Sequence, residues 1–440
     1  MTPQEAQEAG LDEATFLKPT GRDWEFTPQQ MDAIEQLLDF IEDPATFQWY
    51  FVFRGYAGTG KTSCMEEVAR RAAQSRVRFA YTAPTNKAAK VLREIVGEAC
   101  TIYSLLGLRV DKNGETKQVV GGKPVDLSEL DVIVIDEASM INAHLFNLLQ
   151  DAADKWHLKV IFMGDPAQLP PVKEDESMAL QGPNAVELTD VKRHDNQILE
   201  LVTDIRQVIW SPAPSINIRS NNAHGEGVWK LTKQQFKQQI FDAAARGEFA
   251  DGRTSKIIAW RNVRVAEYNN IARHAIFGAE AQPGFYLPGD RIVAAGPCER
   301  GEDVLMTTDD EAIVESFIEC KHPIEPRYHA IELKCRTEDN RVVRLLVIHP
   351  VSLPQFTADS EMLAHEARAN SKLWKRFWEH KDIFHDVKYA YALTAHRSQG
   401  STYTNAYVDY QDVLYNRNRR EAFQCLYVAA SRARKCLYLA

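Results

Sequence analysis

Trp49-Tyr-Phe-Val-Phe-Arg-Gly-Tyr-Ala-Gly-Thr-Gly-Lys-Thr62 is the stretch that decides the fold. Its apolar start, Trp49–Phe53, reads as a buried strand. Gly55–Thr62 then fits the pattern Gly-x-x-x-x-Gly-Lys-Thr, and Thr62–Gln74 reads as a helix. Strand, glycine-rich loop and helix in this order form a phosphate-binding loop. A triphosphate crowds several negative charges together. Gly55, Gly58 and Gly60, with Ala57 and Thr59 between them, allow backbone N–H groups to wrap it, and the helix N-terminus adds the positive end of its dipole. Lys61 is placed to reach the β- and γ-phosphates, and the Thr62 hydroxyl to bind Mg²⁺. ATP with Mg²⁺ is the expected ligand.

The same rhythm continues on both sides. Met31, Ile34, Leu37, Leu38 and Ile41 share one face of a preceding helix. Val77–Tyr81, Val132–Ile135 and Val160–Met163 read as further buried strands, separated by helical stretches such as Asn86–Val96. Such alternation predicts an α/β fold with a parallel sheet and crossover helices. In Val132-Ile-Val-Ile-Asp-Glu137, four apolar residues run into two carboxylates at a strand's C-terminal end, where open α/β sheets hold their ligands. Asp136 suits the Mg²⁺ shell, and Glu137 suits activation of a water for attack on the γ-phosphate. Gly164-Asp-Pro-Ala-Gln168 is a third polar cluster at a strand end, where Gln168 can sense the γ-phosphate.

Beyond this region, residues 108–120 break the rhythm. Asn113-Gly114 lies between polar residues that alternate with Leu108, Val110 and Val119, the pattern of a β-hairpin. A second α/β region begins near Lys256–Trp260. Short strands over 286–350 (Arg291–Ala295, Ala312–Glu319, His329–Lys334, Val342–Ile348) predict a small antiparallel barrel. Residues 361–384 read as an aromatic, basic helix in which Leu373, Trp374, Phe377 and Trp378 share helical spacing and serve packing. The α/β pattern resumes at Val387.

Taken in order, the three polar clusters resemble those of superfamily 1 helicases of the RecD-like branch, and the likeness runs from Phe26 almost to the C-terminus. Phe26-Thr-Pro-Gln-Gln30 is similar to the family's Q-motif, which implies that Gln30 reads adenine. Ala83-Pro-Thr-Asn-Lys-Ala-Ala89 and Thr101-Ile-Tyr-Ser-Leu105 resemble its motifs Ia and Ib, which implies that Pro84, Thr85, Lys87, Thr101 and Ser104 contact single-stranded DNA. Tyr103 stands where the family often has His. Leu188-Thr-Asp-Val-Lys-Arg193 resembles a segment carrying an arginine finger, Arg193. Leu393–Ser401 and Leu426–Arg434 resemble motifs V and VI. They imply DNA contacts by His396 and Arg397, γ-phosphate contacts by Gln399 and Gly400, and a finger at Arg432.

The resemblance implies two RecA-like P-loop domains with ATP between them, a β-hairpin insert in the first, and a small SH3-like β-barrel plus helical insert in the second. Its expected boundaries are a polar extension over 1–25, a first domain over 26–210 with the hairpin at 108–120, a second domain over 211–285 and 385–440, and the insert over 286–384. The implied activity is ATP-driven 5′-to-3′ movement on single-stranded DNA with unwinding at duplex junctions, alongside replication or recombination proteins. Thr308-Asp-Asp-Glu-Ala312 lacks the glycine that the branch carries in its barrel turn, and the hairpin lacks an aromatic tip.

Composition is compatible with this. The chain has 440 residues, 45% of them hydrophobic, and a formal net charge of −9, so nucleic-acid binding would fall to a local basic groove. No apolar run is long enough for a membrane span, and seven scattered cysteines without a Cys-x-x-Cys pair point to a reducing compartment, the cytoplasm, and away from a zinc site. A small-molecule kinase would not need Gln399 and Arg432 so far beyond the loop. A translocase or a nucleotide-gated DNA-binding module without strand separation remains the alternative.

Overall fold

Strand β1 (Tyr50–Gly55) lies between two parallel neighbours, and four of its six residues are buried and the other two half-buried because both faces of the sheet are covered by helices. The computed structural model describes residues 25–43, 48–110, 116–118, 125–190, 197–301 and 303–440. Within them the chain divides into two compact units. The first takes the chain up to Gly227 together with Ser398–Thr402 and Leu414–Arg432, and the second takes Val228–Arg397, Tyr403–Val413 and Ala433–Ala440.

The first unit is built on a six-stranded sheet. With β2 at Phe79–Ala83, β3 at Cys100–Thr101, β4 at Val132–Ile135, β5 at Lys159–Gly164 and β6 at Ala185–Leu188, the strand order is β3-β2-β4-β5-β1-β6. Every pairing is parallel. This is a RecA-like α/β arrangement. Successive strand residues face opposite sides, so two cores form. Phe51, Phe53, Val132, Val134, Ile161 and Met163 pack under helices α1 (Pro28–Glu42), α2 (Lys61–Ala72) and α3 (Asn86–Val96). Ile133, Ile135, Val160 and Phe162 pack under α4 (Ala143–Trp156) through Leu145, Phe146 and Leu149. Helices α5 (Gln197–Ile209) and α6 (Arg419–Ala430) complete the unit. Strand β6 and α5 carry short or unremarkable apolar patterns and were not distinguished in the sequence. The hairpin pairs Leu108–Val110 with Thr116–Gln118, and its tip lies outside the described residues.

The second unit holds a sheet in which Ala392–Thr394, Ser255–Ala259, Tyr403–Val408 and Ala433–Leu439 pair in parallel in that order. A five-stranded antiparallel sheet is inserted in it, in the order Val342–Ile348, His329–Thr337, Glu311–Lys321, Arg291–Ala294, Val387–Tyr389. A buried Arg273–Asp290 ion pair, 2.8 Å long, lies where Asn262–Phe277 meets this insert, and Tyr391 Oη donates to the same carboxylate. The helix expected over 361–384 is in fact two helices, Leu353–Ala369 and Trp374–Lys381. Asn370 divides them: its extended backbone ends the first, and its side chain accepts from Lys372 N to start the next turn. Trp374, Phe377 and Trp378 are half-buried and pack on one another. In the turn lacking the family's glycine, Asp309 takes the left-handed backbone (φ 69°), a conformation Asp tolerates, and Asp310 caps Thr307 N at 2.6 Å. Arg397, expected on DNA, pairs with Asp309 and donates to Ala294 O at 2.9 Å.

Candidate ATP site

Strand register collects the polar clusters. Arg54 lies opposite Gly164, Ile135 opposite Phe162, Thr82 opposite Ile135, and Ala83 opposite Thr101. The carboxyl ends of five parallel strands therefore finish nearly level, and the loops that leave them form one edge.

The phosphate loop leaves β1 at Gly55. Gly58 (φ 84°) and Gly60 (φ 85°) take the left-handed conformation that turns successive N–H groups inward, and Gly60 precedes α2 without a side-chain cap. Any side chain at Gly60 would also collide with Gln30, since its Cβ would lie 2.6 Å from Nε2. Lys61 folds back, its Nζ donating to Gly55 O at 2.6 Å and Tyr56 O at 3.3 Å. Thr59 braces the loop through its hydroxyl, which donates to Tyr56 O at 2.9 Å. Gln30 is buried in the capping box of α1: Thr27 N donates to its Oε1 at 3.0 Å, and its Nε2 donates to Thr59 O at 2.8 Å. Gln30 is thus tied to the loop backbone itself.

Asp136 and Glu137 follow β4. Burial raises the Asp136 carboxyl above its usual range, against the pull of Lys61. Glu137 is pushed up to about 7, first by burial and then by the Asp136 charge, while Arg432 and Lys61 pull it down. Its backbone is left-handed (φ 53°), which costs a non-glycine residue about 1–3 kcal/mol and is a mark of functional positions. Asp165, after β5, is fully buried and raised by the same desolvation. Gln168 is buried, and its Oε1 finds no hydrogen-bond donor among the described residues.

The loop and helix from the distal part of the chain fall in this same unit. Gln399 Nε2 donates to Ser139 Oγ at 3.1 Å, and Gly400 (φ 75°) lies against Ala88 at the start of α3. Arg432 is buried just after α6. It donates to Val428 O at 2.9 Å, Ser401 O at 3.0 Å and Ser431 Oγ at 3.0 Å, within electrostatic reach of Glu137 and Asp165. Arg193 lies outside the described residues.

The residues expected on DNA divide in two. Pro84, Thr85 and Lys87 are half-buried at the β2–α3 junction, and Thr101 ends the neighbouring β3 with Ser104 just beyond it. Both threonines act as helix caps: Thr85 Oγ1 accepts from Ala88 N at 3.2 Å, and Thr101 Oγ1 from Ser104 N at 3.1 Å. His396 and Arg397 belong to the second unit.

Asp165, Tyr427 and Gln424 did not stand out in the sequence. Tyr427 Oη donates to Asp165 Oδ2 at 2.6 Å, and Gln424 Nε2 donates to Gln168 O at 3.0 Å. Asp165 lies inside a cluster singled out for its glutamine, and Tyr427 sits in an apolar helix where an aromatic residue signals only core.

The donor set suits a hard divalent cation. Thr62 and Asp136 offer oxygen ligands. Asp136, Glu137 and Asp165 outnumber the Lys61 and Arg432 charges that act on them, an imbalance a cation would relieve.

Comparison with known proteins gives a consistent picture. An AAA domain family matches residues 25–208, and a UvrD-like helicase C-terminal domain matches 389–440. The uncharacterized protein R530 of Acanthamoeba polyphaga mimivirus is 25% identical, with 92% of this chain and 98% of that protein aligned. The ATP-dependent DNA helicase dda of Enterobacteria phage T4 is 23% identical, with 93% and 98% aligned. The ATP-dependent RecD2 DNA helicase of Deinococcus radiodurans is 30% identical over 39% of this chain and 23% of its own. With a phosphate loop on a RecA-like sheet and a match to a helicase C-terminal domain at 389–440, the chain is similar to superfamily 1 helicases of the RecD-like branch. Within that branch the chain is related, over nearly its whole length, to Dda.

Proposed function

We propose that this chain is an ATP-dependent DNA helicase that moves 5′ to 3′ on single-stranded DNA and separates strands at duplex junctions. The observation that carries the reading is the single strand-end edge on which Lys61, Asp136, Glu137, Gln168, Gln399 and Arg432 gather. Lys61 leaves its loop carbonyls to meet the β- and γ-phosphates as the loop N–H groups take up the triphosphate. Glu137 accepts the proton of the attacking water, and its raised affinity for protons suits a base working near neutrality. Gln168, with its unpartnered Oε1, orients that water or senses the γ-phosphate. Arg432 stabilises the charge that develops on the transferring phosphoryl group. Thr62 and Asp136 would hold Mg²⁺, which would neutralise part of the triphosphate charge.

The reading of 26–210 and of 211–285 with 385–440 as two RecA-like domains is supported by their sheets. Strands of the first sheet fall between Tyr50 and Leu188, and those of the second between Asn221 and Leu439. The antiparallel insert is read as an SH3-like barrel with a helical arm. Pro84, Thr85, Lys87, Thr101 and Ser104 in the first domain, and His396 and Arg397 in the second, are read as contacts to single-stranded DNA. No helix among the described residues is long and apolar enough to cross a membrane; action in the cytoplasm, that of the host if the chain is phage-encoded, is the corresponding reading.

The test is ATP hydrolysis with and without single-stranded DNA, followed by unwinding of 5′-tailed and 3′-tailed duplexes. DNA-stimulated hydrolysis and unwinding of the 5′-tailed substrate are expected. Stimulation without unwinding would leave a translocase, and unwinding only from a 3′ tail would overturn the polarity.

A further inference from the structure

Three hydrogen bonds behind the phosphate loop have no place in the chemistry above. Tyr427, 1% exposed on α6, donates its hydroxyl to Asp165 Oδ2 at 2.6 Å. The N–H of Ala57, within the phosphate loop, is shared between that same Oδ2 at 3.0 Å and Tyr427 Oη at 3.3 Å. Asp165 also accepts from Ala167 N at 2.9 Å. One buried carboxylate thus joins the phosphate loop, the loop carrying Gln168 and the helix that leads into Arg432. One turn earlier on that helix, Gln424 adds a second tie to the Gln168 loop, at the Gln168 carbonyl. Residues i and i+3 share a helix face, so Gln424 and Tyr427 hold one face of α6 against one loop. Arg432 lies five residues beyond Tyr427, and its guanidinium is anchored to Val428 O, so its position follows that of the helix.

We propose that Tyr427 is a positioning residue for phosphoryl transfer: by clamping Asp165 between α6 and Ala57 N–H, it sets Arg432 in register with the phosphate loop. The arrangement suits this better than simple packing. A core tyrosine needs only one acceptor for its hydroxyl, whereas this one both gives and takes, and each partner belongs to a segment of the ATP site. Tyr56, the loop residue before Ala57, is stacked under Arg206 of α5 at 3.8 Å, so a second helix of the unit also braces the loop. Displacing an arginine finger by a fraction of an ångström lowers the rate far more than it lowers nucleotide affinity, because the finger's contacts strengthen only in the transition state.

The inference rests on the reading of Arg432 as the finger, and a double-mutant cycle separates the two ideas. Tyr427→Phe keeps the buried ring and removes only the hydroxyl. Its DNA-stimulated kcat should fall about ten-fold while the Kd for ATP changes less than three-fold. Asp165→Asn, which keeps the shape and an acceptor for Ala57, should show the same split. In an Arg432→Ala background, measured in single turnover, adding Tyr427→Phe should cost less than two-fold, because the residue it positions is gone. A parental kcat in Tyr427→Phe, or a full further ten-fold loss in the Arg432→Ala background, overturns the proposal. An Arg432→Ala protein with parental turnover would instead strike the reading of the site itself.

Discussion

Glu137→Gln should abolish turnover and, at neutral pH, make the protein more stable. The substitution is nearly isosteric and leaves the left-handed backbone at this position as it is. It removes a charge that the fold holds at a cost. A carboxyl whose pKa stands at about 7 in place of 4.5 disfavours the folded state, when ionised, by on the order of 3 kcal/mol. Solvent at the half-buried edge of Glu137 takes back part of that. The sign fixes the pH window. The folded state binds the proton more tightly than the unfolded chain, so the parent loses stability as pH rises from 4.5 to 7, and the glutamine form does not. The gain should therefore be absent below about pH 4.5 and complete above about pH 7. In thermal melts it should appear as a rise of about 2–4 °C per kcal/mol in the unit containing the ATP site. Loss of a general base lowers the rate about 10²–10⁴-fold, with ATP binding, followed by a fluorescent analogue, retained. Lost turnover with a lowered melting temperature at pH 8 would refute the argument, because the glutamate would then be a structural group and not a strained functional one.

The same shift predicts an acidic limb in kcat/KM near pH 7, rising with pH as Glu137 ionises in the free enzyme; a limb near 4.5 would show that its burial has no hold on the base. Arg432→Ala should lower DNA-stimulated hydrolysis by about 10³–10⁵-fold with far less effect on ATP affinity, and lost nucleotide binding with surviving turnover of bound ATP would make it a binding residue. Replacing 111–118 with a short Gly-Ser turn should spare DNA-stimulated hydrolysis and abolish unwinding; unwinding at the parental rate would show that strands are split elsewhere. Asp290→Ala should destabilise the second unit by about 3–5 kcal/mol, since it leaves Arg273 charged and fully buried, and a change below 1 kcal/mol in denaturant unfolding would contradict that.

Much of the first sheet was legible because buried parallel strands leave unbroken apolar runs: Val132–Ile135 and Asn86–Val96 have the limits expected of them. The phosphate loop and the Asp136-Glu137 pair were legible for a different reason, since local backbone geometry and position after a strand dictate their residues. Sequence placed less well what depends on side-chain capping. Asn370 splits a helix because its carboxamide binds a neighbouring N–H, a preference that helical periodicity does not report. Thr85 and Thr101 cap helix starts with their hydroxyls, a use that the motif likeness does not report.

By itself, then, the sequence determined the α/β class, the nucleotide loop and its acids, because each is encoded within a few adjacent residues. Only the tertiary structure decided which distant groups complete the site. Tyr427 and Asp165 are 262 positions apart, and nothing local marks a buried tyrosine as a hydrogen-bonding partner and not as core. That choice is made when α6 packs against the sheet edge and a carboxylate, cut off from water, must find donors wherever the fold supplies them.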